Sequence, residues 1–224
     1  MSEESSLAGY VEIVSERIVD RMRLDQLEIA KAPLRYGTDA CCLVLADSTY
    51  TKDILNMRNS DLGAHMNRIQ VTEEKHERWL ASRLALPDIL DFVVLIDGKF
   101  GGTASLTEIE RGVKCEFGRM IIPNDGRRVY TLAVEFLGMS FAFEVLGLEE
   151  IYCAVVEGND SILRLHLRHG WKLNPAYNRK AAVNDRMARL VGLSISRKEW
   201  PNSFAGMKKL VRRLLDKDTA PALT

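Results

Sequence analysis

Chemistry in this chain concentrates between Val113 and Asn159. Val113 to Ile122 alternates as a strand and carries an acid, Glu116. The strand ends at Pro123-Asn124-Asp125-Gly126, and a long helix of about Arg128 to Leu146 follows. A helix N-terminus fed directly by a strand presents unpaired N–H groups and the positive end of the helix dipole, so it suits an anion. Gly126, Arg127 and Arg128 add backbone freedom and positive charge at that point. Two readings stay open on the residues alone: a phosphate site, or a plain turn with solvated arginines.

Other reactive side chains give weaker patterns. Cys41, Cys42, Cys115 and Cys153 are scattered, without CxxC spacing, in apolar strand-like contexts, and read as buried free thiols. His76 and Trp79 lie three apart on one helix face, with Trp79 expected in the core. His65 and His169 are expected at the surface. No histidines and acids share metal-ligand spacing, so no metal is expected.

The elements that must position these residues follow from periodicity. Cys41 to Leu45, Phe92 to Ile96, Phe100 to Ile109, Val113 to Ile122 and Ile151 to Val156 read as strands, with Trp171 to Tyr177 and Met187 to Ile195 as two last ones. Asp97-Gly98 marks a hairpin turn. Ser48 to Arg58, Thr72 to Leu84 and Asn159 to His169 read as helices; Thr72 suits an N-cap, and the Asn159-Asp160-Ser161 cluster starts the third. In the long helix, Val129, Leu132, Ala133, Phe136, Ser140 and Phe143 fall near one stripe, and Gly147 suits its C-cap. Helices, an antiparallel meander and then strand–helix–strand predict an α/β fold with a mixed sheet. No strand leads into GxGxxG, so a doubly wound dinucleotide fold is excluded.

The ends differ in charge. The 224 residues carry 31 Lys and Arg against 31 Asp and Glu, a formal net charge of zero. The first 30 residues nevertheless form an acidic helical stretch, and residues 196–217 a basic amphipathic one. Three segments are expected: a helical extension over 1–36, a catalytic body over 37–198 and a basic helix over 199–224. The oppositely charged ends suggest a homodimer. With no overall basic surplus, a nucleic-acid partner is not expected, although RNA binding by the basic helix stays a minor alternative. The longest central apolar run, Phe92 to Ile96, is far too short to span a membrane, and the acidic start is unlike a signal peptide. A cytoplasmic location is therefore expected.

Several stretches, in this order, resemble the GNAT superfamily of acyl-CoA-dependent N-acyltransferases. They are Glu116 to Pro123, Asn124 to Arg128, Ala142 to Leu148, and Asn159 through Gly170-Trp171. Arg58-Asn59 and Glu74 to Leu80 are similar to the branch containing ribosomal-protein and nucleotide-amino-sugar N-acetyltransferases. The resemblance spans roughly residues 40 to 196 and implies a largely antiparallel central sheet flanked by helices, here with extra N- and C-terminal helices.

The resemblance also implies roles. The backbone of Met120, Ile121 and Ile122 would hold the pantetheine of acetyl-CoA, or another acyl-CoA, and polarise the thioester. Gly126, Arg127, Arg128, Val129, Tyr130 and Thr131 occupy the family's pyrophosphate loop, although both family glycines are replaced by Val129 and Thr131. Asn159 and Ser161 would support the coenzyme. Glu116 is the candidate base, through water, and alternation puts it on one face with Met120. His166 takes the position of a thiolate-protonating tyrosine and is the candidate acid. Arg58, Asn59 and His76 would form the acceptor side. The implied reaction is direct acyl transfer to a primary amine, the acceptor being a nucleotide-linked amino sugar. The alternatives are protein N-terminal acetylation and a non-catalytic acyl-CoA sensor or scaffold.

Overall fold

The computed structural model describes residues 35–37, 40–60, 71–123, 128–183, 186–203, 205–206 and 211. The acidic leading helix, His65, the turn at 124–127 and most of the basic trailing helix lie outside these residues. In chain order the elements are β1 (Arg35–Gly37), β2 (Cys41–Leu45), α1 (Thr51–Arg58), α2 (Glu73–Leu84), β3 (Leu90–Ile96), β4 (Lys99–Glu110) and β5 (Lys114–Ile121). Then come α3 (Arg128–Ser140), β6 (Glu150–Val156), α4 (Asp160–Arg168), β7 (Lys172–Leu173), β8 (Arg179–Val183) and β9 (Arg186–Ser196).

The strands form one sheet in the order β1-β2-β3-β4-β5-β6-β9-β7, with β8 paired to β9. Among the described strands only β5 and β6 pair in parallel, joined through α3 as a parallel pair requires. The expected mixed, largely antiparallel sheet flanked by helices is therefore present. The Asp97-Gly98 turn has both residues at positive φ, 49° and 72°, as a tight two-residue hairpin demands.

Strand alternation divides the core between two faces. Leu43, Phe92, Val94, Cys115, Phe117, Ile151, Cys153 and Leu193 belong to the main cluster with α3. Cys42, Val44 and Val93 turn the other way, onto Ile54 of α1 and Leu80 of α2. All four cysteines are free and buried. Thr72 caps α2 as expected, its hydroxyl accepting from the Lys75 amide at 3.4 Å.

Four features depart from the sequence expectation. First, α3 is buried on nearly all sides from Ala133 to Phe143, not along one stripe. Trp200, from the start of the trailing segment, covers its outer side against Phe136 and Phe143. The helix also closes in a π-helical turn, Phe141–Val145, before Gly147 at φ 65°. Second, the expected strand Trp171 to Tyr177 is cut to Lys172–Leu173. Asn174 accepts from the Ala176 amide, and Pro175 opens a 3₁₀ turn, Pro175–Tyr177. Third, β1 and β8 are additional short strands. Fourth, β5 carries a bulge, described below. Among the described residues no helix is long and apolar enough to cross a membrane.

Candidate active site

The site begins where two strands part. β5 and β6 pair only at Lys114–Glu150, Cys115–Ile151 and Glu116–Tyr152. Beyond these positions β5 continues along β4 to Ile121, and β6 along β9 to Val156. A wedge therefore opens after Glu116 and Tyr152, and leaves the β5 backbone edge without its parallel partner. Unpaired strand N–H and C=O groups are obligatory hydrogen bonders, so such an edge suits an extended, amide-bearing ligand. Pantetheine has that chemistry, and the wedge includes the expected Met120 and Ile121.

The bulge alters which side chains share a face. Thr103 pairs with Ile121 and Ser105 with Gly118, so β5 spends one extra residue there. Arg119 takes it up at φ 50°, a left-handed conformation uncommon for a non-glycine residue. Met120 and Ile122 consequently pack on the main core beside Cys115 and Phe117. The expectation that Glu116 and Met120 share a face is corrected: the bulge reverses the alternation between them.

Glu116 is ion-paired with Arg179 of β8, which engages Oε1. Beside it, the buried Tyr152 donates to Glu108 and stacks on Tyr177, ring centroids 4.0 Å apart. Burial first, then the bond to Glu108, pushes the Tyr152 phenol upward, so it stays protonated.

On the same face lies an open cleft, bordered by Arg58, Trp79, Asp91, Ser105, Arg119 and Ile121 among others. Arg83 makes a two-point ion pair with Asp91, which also accepts from the Ser105 hydroxyl at 2.6 Å. The guanidinium carbons of Arg58 and Arg83 lie 5.3 and 5.0 Å from the Trp79 ring centroid.

Two acceptor-side expectations are corrected here. Trp79 borders the cleft and is only partly buried, whereas His76 is wholly buried. His76 stacks on Trp79 at 5.4 Å, and among the described residues neither ring nitrogen has a hydrogen-bond partner. Asn59 spends its amide on Val71, donating to its carbonyl and accepting from its N–H, both at 3.1 Å. Of the three expected acceptor residues, only Arg58 borders the cleft.

The buried His76 gives the fold a pH dependence of definite sign. Burial, followed by Arg58, holds its pKa below the ordinary imidazole value, with Asp91 opposing. The unfolded chain thus takes up a proton near pH ~6.5 that the folded chain refuses. Stability is full above that pH and falls below it, by up to about 1.4 kcal/mol per pH unit. His169, also lowered first by burial, acts in the same direction. His76→Leu is expected to flatten this slope; urea unfolding at about pH 5 and 7 measures it, and an unchanged slope contradicts the assignment.

Across the sheet, His166 of α4 is buried and its Nδ1 lies 2.9 Å from Glu135 Oε1 of α3. The Trp171 indole N–H donates to the same oxygen at 2.7 Å. Glu135 is fully buried, and its Oε2 faces His169 Nδ1 at 3.9 Å. His169 is thus half-buried, not at the surface as expected. With Nδ1 held by Glu135, no hydrogen bond among the described residues claims His166 Nε2. Sequence reasoning missed Glu135; its signal is a lone acid inside an otherwise apolar helix.

The remaining coenzyme candidates divide. Gly126 and Arg127 lie outside the described residues, as do the side chains of Arg128 and Val129. The Tyr130 side chain is buried in the main core, while Thr131 is half-buried. Asn159 caps α4, its Oδ1 accepting from the Ile162 amide and the Ser161 hydroxyl. Cys115 is pushed up to about 12 and Cys153 still higher, both mainly by burial, so neither is a ready thiolate. After burial, Glu135 and then Glu116 also raise the Cys153 thiol. Among the described residues no cluster could hold a metal ion.

A family profile described as acetyltransferase (GNAT) domain matches residues 42–172. The chain belongs to the GNAT acetyltransferase family. Solved GNAT structures share its fold. One is a GCN5-related N-acetyltransferase from Brucella melitensis, 20% identical, with a TM-score of 0.66 over 78% of this chain and 84% of that one. Another is spermidine N-acetyltransferase from Vibrio cholerae in complex with CoA and spermine, 17% identical, with a TM-score of 0.64 over 73% and 99%. A comparison with curated proteins finds no significant match. The GNAT family uses acetyl-CoA as co-substrate, and the wedge offers the backbone edge that an acyl-CoA arm needs.

Proposed function

We propose that this GNAT protein transfers an acetyl group from CoA directly to a primary amine, both substrates being bound together. The observation that carries the reading is the wedge after Glu116, with the Glu116 carboxylate at its head and the cleft beside it. The β5 edge from Met120 onward holds the acyl-CoA arm, and the N-terminus of α3 takes its phosphates. Glu116 takes the amine proton through water, using the oxygen that Arg179 leaves free. His166 Nε2 returns a proton to the departing thiolate. High thiol pKa values at Cys115 and Cys153 favour this direct route over an acyl-cysteine. A nucleotide-linked amino sugar remains the favoured acceptor, ahead of a protein N-terminus. A homodimer is the assembly proposed from the charged ends.

Calorimetric titration with acetyl-CoA, together with thiol release over a panel of amines, tests this. Binding with turnover on at least one amine is expected. Glu116→Gln should then lower kcat/KM by about 100-fold with little change in melting temperature. Tight binding with no turnover on any amine would identify an acyl-CoA sensor instead, and no binding a scaffold.

A further inference from the structure

The charges of the cleft do not cancel. Asp91 is fully occupied by Arg83 and Ser105, and Glu116 is engaged by Arg179. Arg58 and Arg119 also line the cleft, from α1 and β5 respectively. Among the described residues neither has a carboxylate in ion-pair range. They are close enough that Arg119 disfavours the charge on Arg58, after burial itself. The β5 bulge is what brings Arg119 there, at the expense of a left-handed backbone. Asp91 and Glu116 act on Arg119 only from beyond ion-pair range, so two guanidinium groups that line one cleft lack a directly bound anion among the described residues. A planar, permanently charged fork is matched by a phosphate or a carboxylate.

We propose that the acceptor amine carries its own oxyanion, phosphate or carboxylate, and that Arg58 and Arg119 bind it in the cleft. The inference rests on the reading of this cleft as the acceptor side, and it narrows the substrate class. A polyamine is disfavoured, because its positive charges would meet Arg58, Arg83 and Arg119. Trp79, braced by two guanidinium groups, supplies an apolar wall for the body of the molecule. A phosphorylated amino sugar and an amino acid both satisfy the chemistry, and the test separates them.

Calorimetry on the full chain with matched probes decides the matter: glucosamine 6-phosphate against glucosamine, and β-alanine against propylamine, with spermidine as the cationic control. At least one anionic probe is expected to bind tenfold or more tightly than its neutral counterpart, and the successful pair names the oxyanion. Arg58→Gln and Arg119→Asn should each weaken that probe by about tenfold and leave its neutral counterpart within about threefold. Asparagine tolerates the left-handed backbone at 119, and Arg119 is exposed, so this variant keeps the fold. Equal affinity within both pairs, a preference for spermidine, or a preference that survives both substitutions overturns the proposal. Thiol release measured on the same probes separates the two readings. Arginine-dependent anion binding without acetylation upholds the anion site and removes the transferase; acetylation indifferent to anions does the reverse.

Discussion

Replacing Glu135 by alanine is expected to lower the unfolding free energy by about 3–5 kcal/mol. The carboxyl group is fully buried and receives the Trp171 indole N–H at 2.7 Å while holding His166 Nδ1 at 2.9 Å. Truncation strands both partners in a site where water has little access. Each buried group left unpaired costs about 1–3 kcal/mol, and the vacated volume adds to this. For a chain of this size the melting temperature should fall by roughly 6–20 °C. Glu135→Gln retains an oxygen for the indole and most of the volume, so a smaller loss, about 1–2 kcal/mol, is expected. Thermal unfolding of the two variants is the check. A melting temperature for Glu135→Ala within about 2 °C of the parent would contradict the assignment.

His166→Ala is expected to lower kcat for acetyl transfer by about 10–100-fold near neutral pH, with a small effect on KM for acetyl-CoA. General acid catalysis can supply more than this, but a thiol leaving group has a pKa of about 8.5 and needs only modest help. The same fact gives the experiment its discriminating arm. As pH rises through ~8.5 the thiolate departs unaided, so the deficit of the variant should shrink. A purely structural role would leave a deficit independent of pH. Full activity at neutral pH, or an undiminished deficit at about pH 9, would remove His166 from the reaction.

The sequence made the elements readable because each is specified locally. An apolar run marks β3, alternation marks β5, the Asp97-Gly98 pair marks the turn between β3 and β4, and Asn159 marks the start of α4. The site depends on relations that no local pattern contains. The wedge arises because β5 and β6 pair for three positions and then follow different neighbours. The bulge at Arg119 is hinted at only by the adjacent Gly118, and it moves Met120 across the sheet. Spacing puts His76 and Trp79 on one side of α2, but which of them reaches the cleft depends on how that helix sits on the sheet. Glu135 was concealed by the apolar helix around it, since its partners come from α4 and the residue just before the following strand.

The placement of the tryptophans has a spectroscopic consequence. The chain has three. Trp171 and Trp200 are sealed in the core, at 2% and 4% exposure, so their emission reports on folding. Trp79 alone borders the cleft, with a guanidinium group from α1 and another from α2 near its ring. Indole emission is sensitive to nearby charge, so an anion drawn to Arg58 alters the signal of Trp79 and leaves the other two unchanged. The protein thus carries an intrinsic optical probe at its cleft, distinguishable from the reporters of its fold by accessibility to a polar quencher.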